Sequence, residues 1–277
     1  MSRRTLVRAS ADLAWWDDGG GAGAPLVLLH AGVADSRMWQ GCVDAFAPER
    51  RVIRYDRRGF GETHVREPRA YAQVDDLLAV LDAANVERAV LVGCSQGGRI
   101  ALDAALEQPQ RVAALVLVAP AVSGAPEPSQ PAPEIQALFD AYEAVEAAGD
   151  LEALNEFEAR VWLDGPLAAR GRVGGDARRL FLEMNGRALR AGNAGPPVDP
   201  PSAWDRLEQV AVPTLVLWGT LDFPHLATRC ESLLTRIPGV QGGAIDGSAH
   251  LPSLDAPQAL EVRLRSFLAA LAAGADS

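Results

Sequence analysis

The sequence contains no lysine, and all 26 of its basic residues are arginines. Its 36 acidic residues outnumber them, which gives the 277-residue chain a formal net charge of −10. Proteins that bind nucleic acid use basic surface to displace counterions from the polyanion, and this chain has no excess of positive charge and no basic stripe. We therefore expect no nucleic-acid partner.

Cysteine is also scarce. The three cysteines, Cys42, Cys94 and Cys230, are an odd number and lack the spacing of a metal site or of a disulfide framework. Unpaired thiols are typical of a reducing compartment, so we expect a cytoplasmic protein without a bound metal.

Long hydrophobic runs are missing too. No segment approaches the roughly 20 apolar residues that a membrane-spanning helix requires. The N-terminal segment, residues 1–16, lacks the apolar stretch of a signal peptide. We expect no membrane partner. The length suits one large α/β domain with an insertion, or two small domains. We expect a monomer or a homodimer.

What the sequence does contain is a strand, a tight turn and a helix around Ser95. Val90–Val92 predicts a buried strand, and Gly93–Gly97 matches the G-x-S-x-G pattern that places a serine on a sharp strand-to-helix turn. The helix that begins near Gln96 brings its N-terminal N–H groups beside the serine oxygen, where an oxyanion would form. We predict that Ser95 is a nucleophile.

Short apolar runs alternate with amphipathic helical patterns along most of the chain. After one or two N-terminal antiparallel strands, the predicted strands are Pro25–Leu29, Val52–Tyr55, Val90–Val92, Val112–Val118, Val212–Trp218 and Val240–Ile245. Such alternation predicts right-handed crossovers and a mostly parallel sheet with helices on both faces. The fold class is therefore α/β.

The alternation stops after Val118. A proline-rich stretch, Ala125–Pro133, is followed by three helical patterns and by a second proline-rich stretch, Pro196–Pro201. We predict a core domain formed by residues 1–121 and 205–277, with a helical cap of residues 122–204. The cap should lie above the C-terminal ends of the strands, where open α/β sheets bind ligands.

A serine hydroxyl is a poor nucleophile at neutral pH and needs a base, which in turn needs a group to orient it. His250 is our candidate, because it lies in a loop of small residues before the last helix and follows the serine in the chain. His225, at a predicted helix start, is the alternative, with a loop or capping role as its simpler interpretation. We interpret His30 as a structural hydrogen-bonding residue and place His64 in a polar loop.

Asp222 is the candidate for the orienting group. It lies just past the end of the strand Val212–Trp218, where a carboxylate could hold the imidazole tautomer of His250 and stabilise the imidazolium. Its alternative role is to cap the helix that begins near Pro224. The segment after the strand Val112–Val118 offers no carboxylate, which removes the usual alternative position.

Backbone N–H groups should form the oxyanion hole. Gln96 supplies one as the residue after the nucleophile, and the loop after the first parallel strand supplies the other. We choose Gly32, two residues past His30, as the second donor. Trp162, Phe139 and Met184 could line an acyl pocket, but apolar residues at helical spacing usually belong to the core, and we assign them no role.

Five motifs together resemble the α/β-hydrolase superfamily over nearly the whole chain. They are LLHAGVADSRMW at Leu28–Trp39, YDRRGFGET at Tyr55–Thr63, GCSQGG at Gly93–Gly98, LWGTLDFPH at Leu217–His225 and GSAHLP at Gly247–Pro252. Within the superfamily, the chain is similar to cap-bearing bacterial esterases and 3-oxoadipate enol-lactonases. The resemblance implies an α/β-hydrolase fold: a mostly parallel eight-stranded sheet flanked by helices, with an inserted helical cap.

The expected function is that of a cofactor-free serine hydrolase that cleaves a small carboxylic ester or lactone through an acyl-enzyme. A C–C bond hydrolase of diketone-type substrates and a cofactor-free perhydrolase would use the same three side chains. A ligand receptor that has lost catalysis is the alternative from a different class. Ser95→Ala separates the classes, because a receptor would keep its activity and an enzyme would lose nearly all turnover.

Overall fold

The computed structural model describes residues 3–21, 23–128 and 130–275. In these ranges the strands are β1 (Arg4–Val7), β2 (Ala11–Asp18), β3 (Leu26–Leu29), β4 (Val52–Tyr55), β5 (His64–Val65), β6 (Ala89–Cys94), β7 (Val112–Val118), β8 (Thr214–Gly219) and β9 (Gln241–Ile245). They form one sheet in the order β1-β2-β4-β3-β6-β7-β8-β9, with β5 paired to β2.

The sheet is parallel from β4 to β9 and antiparallel where β2 pairs with β1, β4 and β5. The predicted α/β architecture with a mostly parallel sheet is thus confirmed. The expectation of eight strands needs one correction, because the described sheet has nine. The additional strand is β5, in which His64 lies, and two residues are too few to show an alternation of polar and apolar side chains.

Helices cover both faces of the sheet. The described α-helices are α1 (Gln40–Phe46), α2 (Gln73–Ala83), α3 (Gln96–Glu107), α4 (Pro133–Ala147), α5 (Leu151–Glu158), α6 (Gly175–Leu189), α7 (Pro224–Arg236), α8 (Pro252–Asp255) and α9 (Pro257–Ala275). Short 3₁₀ segments span Ser36–Trp39, Pro109–Arg111 and Trp204–Gln209, and a π-helical segment spans Ala159–Asp164. None of the helices described is long and apolar enough to cross a membrane.

The central strands read as continuous apolar runs because both of their faces are covered. Side chains alternate between two buried clusters along a strand, as the two-residue repeat of a strand requires. In β3, Val27 and Leu29 join one cluster, and Leu26 and Leu28 join the other. The sheet therefore provides a rigid layer whose carboxyl ends can hold loops in fixed positions.

The segment between β7 and β8 contains α4, α5, the π-helical segment and α6, and we call these four elements the helical insert. Leu163, Phe181 and Met184 of the insert belong to the same buried cluster as Met38 and Leu251 of the loops at the end of the sheet. Apolar side chains thus hold the helical insert against the loops described next.

Candidate active site

Ser95 lies at the turn between β6 and α3 with φ 51° and ψ −116°. A residue other than glycine rarely adopts this backbone conformation, which is strained by about 1–3 kcal/mol and clusters at functional sites. The surrounding backbone holds the turn: the Ser95 amide donates to the Val118 carbonyl at 2.9 Å, and its own carbonyl accepts from the Ala121 and Arg99 amides. The turn presents a half-buried hydroxyl at the end of the sheet.

The glycines around Ser95 permit close contact between backbone segments. A Cβ on Gly93 would lie 2.3 Å from the Gly97 carbonyl oxygen, and one on Gly97 would lie 2.2 Å from the Leu29 oxygen. Both distances are far below any real contact of a Cβ. The two glycines of the G-x-S-x-G pattern are therefore needed so that the start of α3 can pack on the end of β3. The positive φ falls on the serine itself.

The structure brings His250 and Asp222 together. The Nδ1 atom of His250 donates to Oδ2 of Asp222 at 2.8 Å, and both side chains are buried. The other carboxylate oxygen accepts from the Phe223 amide at 2.8 Å. With its proton on Nδ1, the imidazole keeps Nε2 as its acceptor, which is the tautomer a general base requires.

These contacts agree neither with a helix-capping role of Asp222 nor with His225 as the partner of Asp222. The N-cap of α7 is Phe223, and no side chain caps the helix, so Asp222 does not act as a cap. The His225 ring packs 5.4 Å from Phe223 and 6.2 Å from Phe139. Burial lowers the pKa of His225, and the Arg229 charge adds to this effect. The Asp222 carboxylate therefore contacts His250, and His225 lies among aromatic side chains.

Contacts between loops fix these side chains at one end of the sheet. The Leu221 amide donates to the Ser248 carbonyl at 2.8 Å, and the Cys94 thiol donates to the His250 carbonyl at 3.5 Å. A Cβ on Gly219 would lie 2.2 Å from the Ser248 oxygen, so only glycine lets the His250 loop cross β8 this closely. The buried Cys94, which is the residue before Ser95, thus connects the end of β6 to the His250 loop.

The two predicted oxyanion donors lie on adjoining segments. A Cβ built on Gly32 would lie 3.3 Å from Cγ of Gln96, the first residue of α3. His30, two residues earlier, is fully buried: its Nδ1 donates to the Ala31 carbonyl at 2.8 Å, and its Nε2 accepts from the Arg57 amide at 3.0 Å. Burial lowers the pKa of His30 well below its usual value, so the ring is neutral and acts as a structural link, in agreement with our interpretation.

Sequence reasoning missed the residues that hold the His250 loop. The Asp255 carboxylate accepts from the Ser248 hydroxyl at 2.5 Å and from the Ala249 amide at 2.7 Å. Arg172 lies in the loop between the π-helical segment and α6. It donates to the same carboxylate at 2.5 Å and to the Gly247 carbonyl at 2.9 Å. Arg172 and Asp255 are 83 positions apart in the sequence, so no local signal could have paired them.

An apolar cavity of about 200 Å³ lies between the helical insert and the Asp222 loop. Its lining residues are Leu138, Phe139, Tyr142, Phe157, Val161, Trp162 and Phe223. The Trp162 ring lies 4.7 Å from the His250 ring, which places one wall of the cavity against the candidate base. Two of the three residues named from the sequence, Phe139 and Trp162, line this cavity, whereas Met184 is not among its lining residues and is buried in a core cluster.

Comparison with protein families gives one match, to a family described as alpha/beta hydrolase fold, over residues 24–257. The chain belongs to the α/β-hydrolase family. This finding confirms the family resemblance seen in the five sequence motifs. In this α/β-hydrolase, the carboxyl ends of β6 and β8, the loop after β3 and the loop before α8 meet at the candidate site.

Relatives of this α/β-hydrolase include an esterase and a dienoate hydrolase. The pimeloyl-[acyl-carrier protein] methyl ester esterase of Vibrio campbellii is 28% identical, over 90% of this chain and 96% of that protein. The 2-hydroxy-6-oxo-6-phenylhexa-2,4-dienoate hydrolase of Burkholderia cepacia is 30% identical, over 73% of this chain and 72% of that protein. A solved thermophilic esterase from Thermogutta terrifontis is 26% identical, covers 98% of this chain and 99% of its own, and has a TM-score of 0.75.

Proposed function

We propose that this α/β-hydrolase is a serine hydrolase that cleaves a small carboxylic ester or lactone without a cofactor. Ser95 is the nucleophile, His250 the general base and Asp222 the residue that orients it. The observation that carries the proposal is the buried 2.8 Å hydrogen bond between His250 and Asp222, at the same end of the sheet as the strained Ser95 turn.

In the first half-reaction, the Ser95 oxygen attacks the substrate carbonyl carbon while Nε2 of His250 takes the hydroxyl proton. The carbonyl oxygen becomes an oxyanion, which the backbone N–H groups of Gln96 and Gly32 stabilise. The tetrahedral intermediate then breaks its bond to the alcohol oxygen, and the proton on His250 passes to that oxygen. The product is an acyl-enzyme, to which the alcohol remains tethered when the substrate is a lactone.

In the second half-reaction, water attacks the acyl carbon and His250 takes a proton from it. Collapse of this second tetrahedral intermediate breaks the bond to the Ser95 oxygen, which recovers its proton from His250. The carboxylic acid leaves, and the enzyme returns to its starting state. Asp222 stabilises the imidazolium that forms in each step.

The apolar cavity beside Trp162 supports a substrate with one small apolar substituent. A dry cavity of roughly 150 Å³ binds benzene in other proteins, so one of about 200 Å³ has room for a phenyl or a short branched alkyl group. We propose that residues 122–204 form a cap that covers this substituent, since α4, α5 and the π-helical segment supply most of the lining.

Labelling with a fluorophosphonate tests the proposal. We expect the intact mass of the protein to rise by one adduct located on Ser95, and Ser95→Ala to abolish both labelling and ester turnover. Ser266→Ala is the matched control, because this serine is exposed on α9 and its hydroxyl contacts only its own helix at Val262. A folded wild-type protein that stays unlabelled would contradict the serine mechanism.

A C–C bond hydrolase is the second candidate function, favoured by the 30% identity to the dienoate hydrolase of Burkholderia cepacia. The same three side chains could act on a diketone-type substrate. Turnover of an aryl ester, a lactone and a vinylogous diketone by one enzyme preparation distinguishes the candidates. We expect the ester or lactone to react with the highest kcat/KM, and a diketone preference of tenfold or more would favour the second candidate.

A further inference from the structure

The side chain of Arg57 is buried behind the loop that follows β3. Its Nη2 donates to the Ala31 carbonyl at 3.0 Å, and its guanidinium lies 4.4 Å above the ring of Phe60. Its Nε is buried and has no hydrogen-bond partner among the residues that the structure describes. Removing a guanidinium from water is costly, so a buried charge with so few partners calls for an explanation beyond packing.

The peptide group that Arg57 contacts is the one between Ala31 and Gly32. Its carbonyl oxygen accepts from Nη2 of Arg57 and also from Nδ1 of His30, at 3.0 and 2.8 Å. Its N–H is the N–H of Gly32, which our mechanism assigns to the oxyanion. Hydrogen bonds to the oxygen of a peptide group polarise the group and make its N–H a stronger donor. Two donors on one oxygen also fix the plane in which the N–H points.

We propose that Arg57 is a positioning residue for the oxyanion hole: it holds and polarises the Ala31–Gly32 peptide so that the Gly32 N–H meets the developing negative charge. This inference rests on the proposed serine hydrolase function. The charge of Arg57 also lies on the far side of that peptide from the oxyanion, where a fixed positive charge favours the transition state over the uncharged substrate.

The loops at this point have connections that do not use the Arg57 side chain. The backbone amide of Arg57 donates to Nε2 of His30 at 3.0 Å. The carboxylate of Asp56 accepts from the amides of Ser36 and Glu62 at 2.9 and 2.7 Å. A variant that lacks the guanidinium therefore keeps the links between the loops after β3 and β4, and it should still fold.

The test compares Arg57→Met and Arg57→Lys with the wild type on one small aryl ester. Arg57→Met should lower kcat about 10- to 100-fold and leave KM within threefold, because the lost interaction strengthens only in the transition state. Affinity for a trifluoromethyl ketone, whose adduct with Ser95 carries an oxyanion, should fall by a similar factor. Arg57→Lys restores a charged donor and should recover part of both losses. The melting temperature of each variant shows whether it is folded.

Arg265→Met is the matched control, since this arginine lies in α9 and pairs with Glu49 and Glu261. An unchanged kcat and ketone affinity in folded Arg57→Met would overturn the inference. So would equal losses in Arg57→Lys and Arg57→Met, or a rise in KM without a fall in kcat. If the wild-type protein itself neither turns over esters nor reacts with fluorophosphonate at Ser95, the proposed function fails instead.

Discussion

At the scale of single residues, the candidate active site depends on the tautomer of His250, which its contact with Asp222 fixes. Asp222 contacts His250 through one oxygen and the Phe223 amide through the other, so both of its oxygens have defined partners. The carboxylate can only accept hydrogen bonds, which forces the proton of the neutral imidazole onto Nδ1. In the proposed mechanism, Asp222 therefore acts on Ser95 indirectly, through the tautomer of His250.

Asp222→Asn should lower kcat by about 10³- to 10⁴-fold with little change in the circular dichroism spectrum. The amide nitrogen can donate to Nδ1, which moves the imidazole proton to Nε2 and leaves no acceptor for the serine proton. The measurement is kcat on a small aryl ester. Asp246→Asn is the control, since this carboxylate accepts from the Thr220 hydroxyl at 3.3 Å and lies on an exposed turn. Retention of a tenth or more of the activity by Asp222→Asn would show that His250 does not depend on the carboxylate.

At the scale of elements, the guanidinium of Arg172 adds polar contacts between the helical insert and the loop that carries His250. Arg172 donates to the carbonyls of Leu163 and Asp164 at the end of the π-helical segment, at 2.8 and 2.7 Å. It also donates to Asp255 and Gly247 in and beside the loop that carries His250. These bonds therefore link the end of the π-helical segment to the loop that carries His250, the candidate base.

Arg172→Met should destabilise the protein by about 2–4 kcal/mol, because it leaves the buried Asp255 carboxylate without its cation. It should also lower kcat, since the loop around Ser248 loses one of its supports. Urea unfolding and ester turnover measure the two effects. The double variant Arg172→Met with Asp255→Asn removes the unpaired charge and should recover part of the stability.

Arg179→Met serves as the control for this pair, because Arg179 is exposed on α6 and pairs with Asp176 of the same helix. It should unfold at the same urea concentration as the wild type. Equal stability of Arg172→Met and the wild type would show that the hydrogen bonds and the ion pair of Arg172 do not stabilise the folded protein.

The cavity is also a property of elements, since α4, α5 and the π-helical segment each supply part of its wall. Val161→Phe should fill much of it and lower kcat/KM for a benzyl or phenyl ester about tenfold or more, with a methyl or acetyl ester little affected. The readout is the ratio of kcat/KM values for the two esters. Val262→Phe, at an exposed position of α9, is the control for the added bulk. An unchanged ratio would exclude this cavity as the site of the apolar substituent.

At the scale of the whole molecule, the fold and the three candidate catalytic side chains could be predicted because their signals are local. The strand before Ser95, the glycines beside it and the helix after it are contiguous, and Asp222 and His250 lie in the loops that follow β8 and β9. The strand β5 was missed because two residues show no period. Arg57 and Arg172 were missed because their partners, Ala31 and Asp255, are 26 and 83 residues away, and no spacing rule connects them.

The pH dependence of stability is another property of the whole molecule, because burial changes the pKa of side chains far from the site. Burial raises the pKa of Asp103 in α3 to about 6, although the Ser123 hydroxyl that donates to it acts in the opposite direction. Between the usual aspartate pKa of 3.8 and 6, the folded state therefore holds a proton that the unfolded chain has released. Stability from this group is largest below about pH 4 and is lost as the pH rises through 6.

Asp103→Asn removes this titration, so the variant should gain on the wild type as the pH rises from 4 to 7, by about 1–3 kcal/mol in total. Urea unfolding followed by circular dichroism at pH 4, 5.5 and 7 gives the difference in unfolding free energy. Ser123→Ala is the comparison, because this variant keeps the Asp103 carboxyl group but lacks the hydrogen bond that lowers the pKa of that group. The stability of Ser123→Ala should fall with rising pH at least as steeply as that of the wild type. Groups such as the neutral His30 contribute equally to all three proteins and cancel. A free-energy difference between Asp103→Asn and the wild type that is the same at every pH would show that the carboxyl group of Asp103 has the same pKa in the folded and unfolded states.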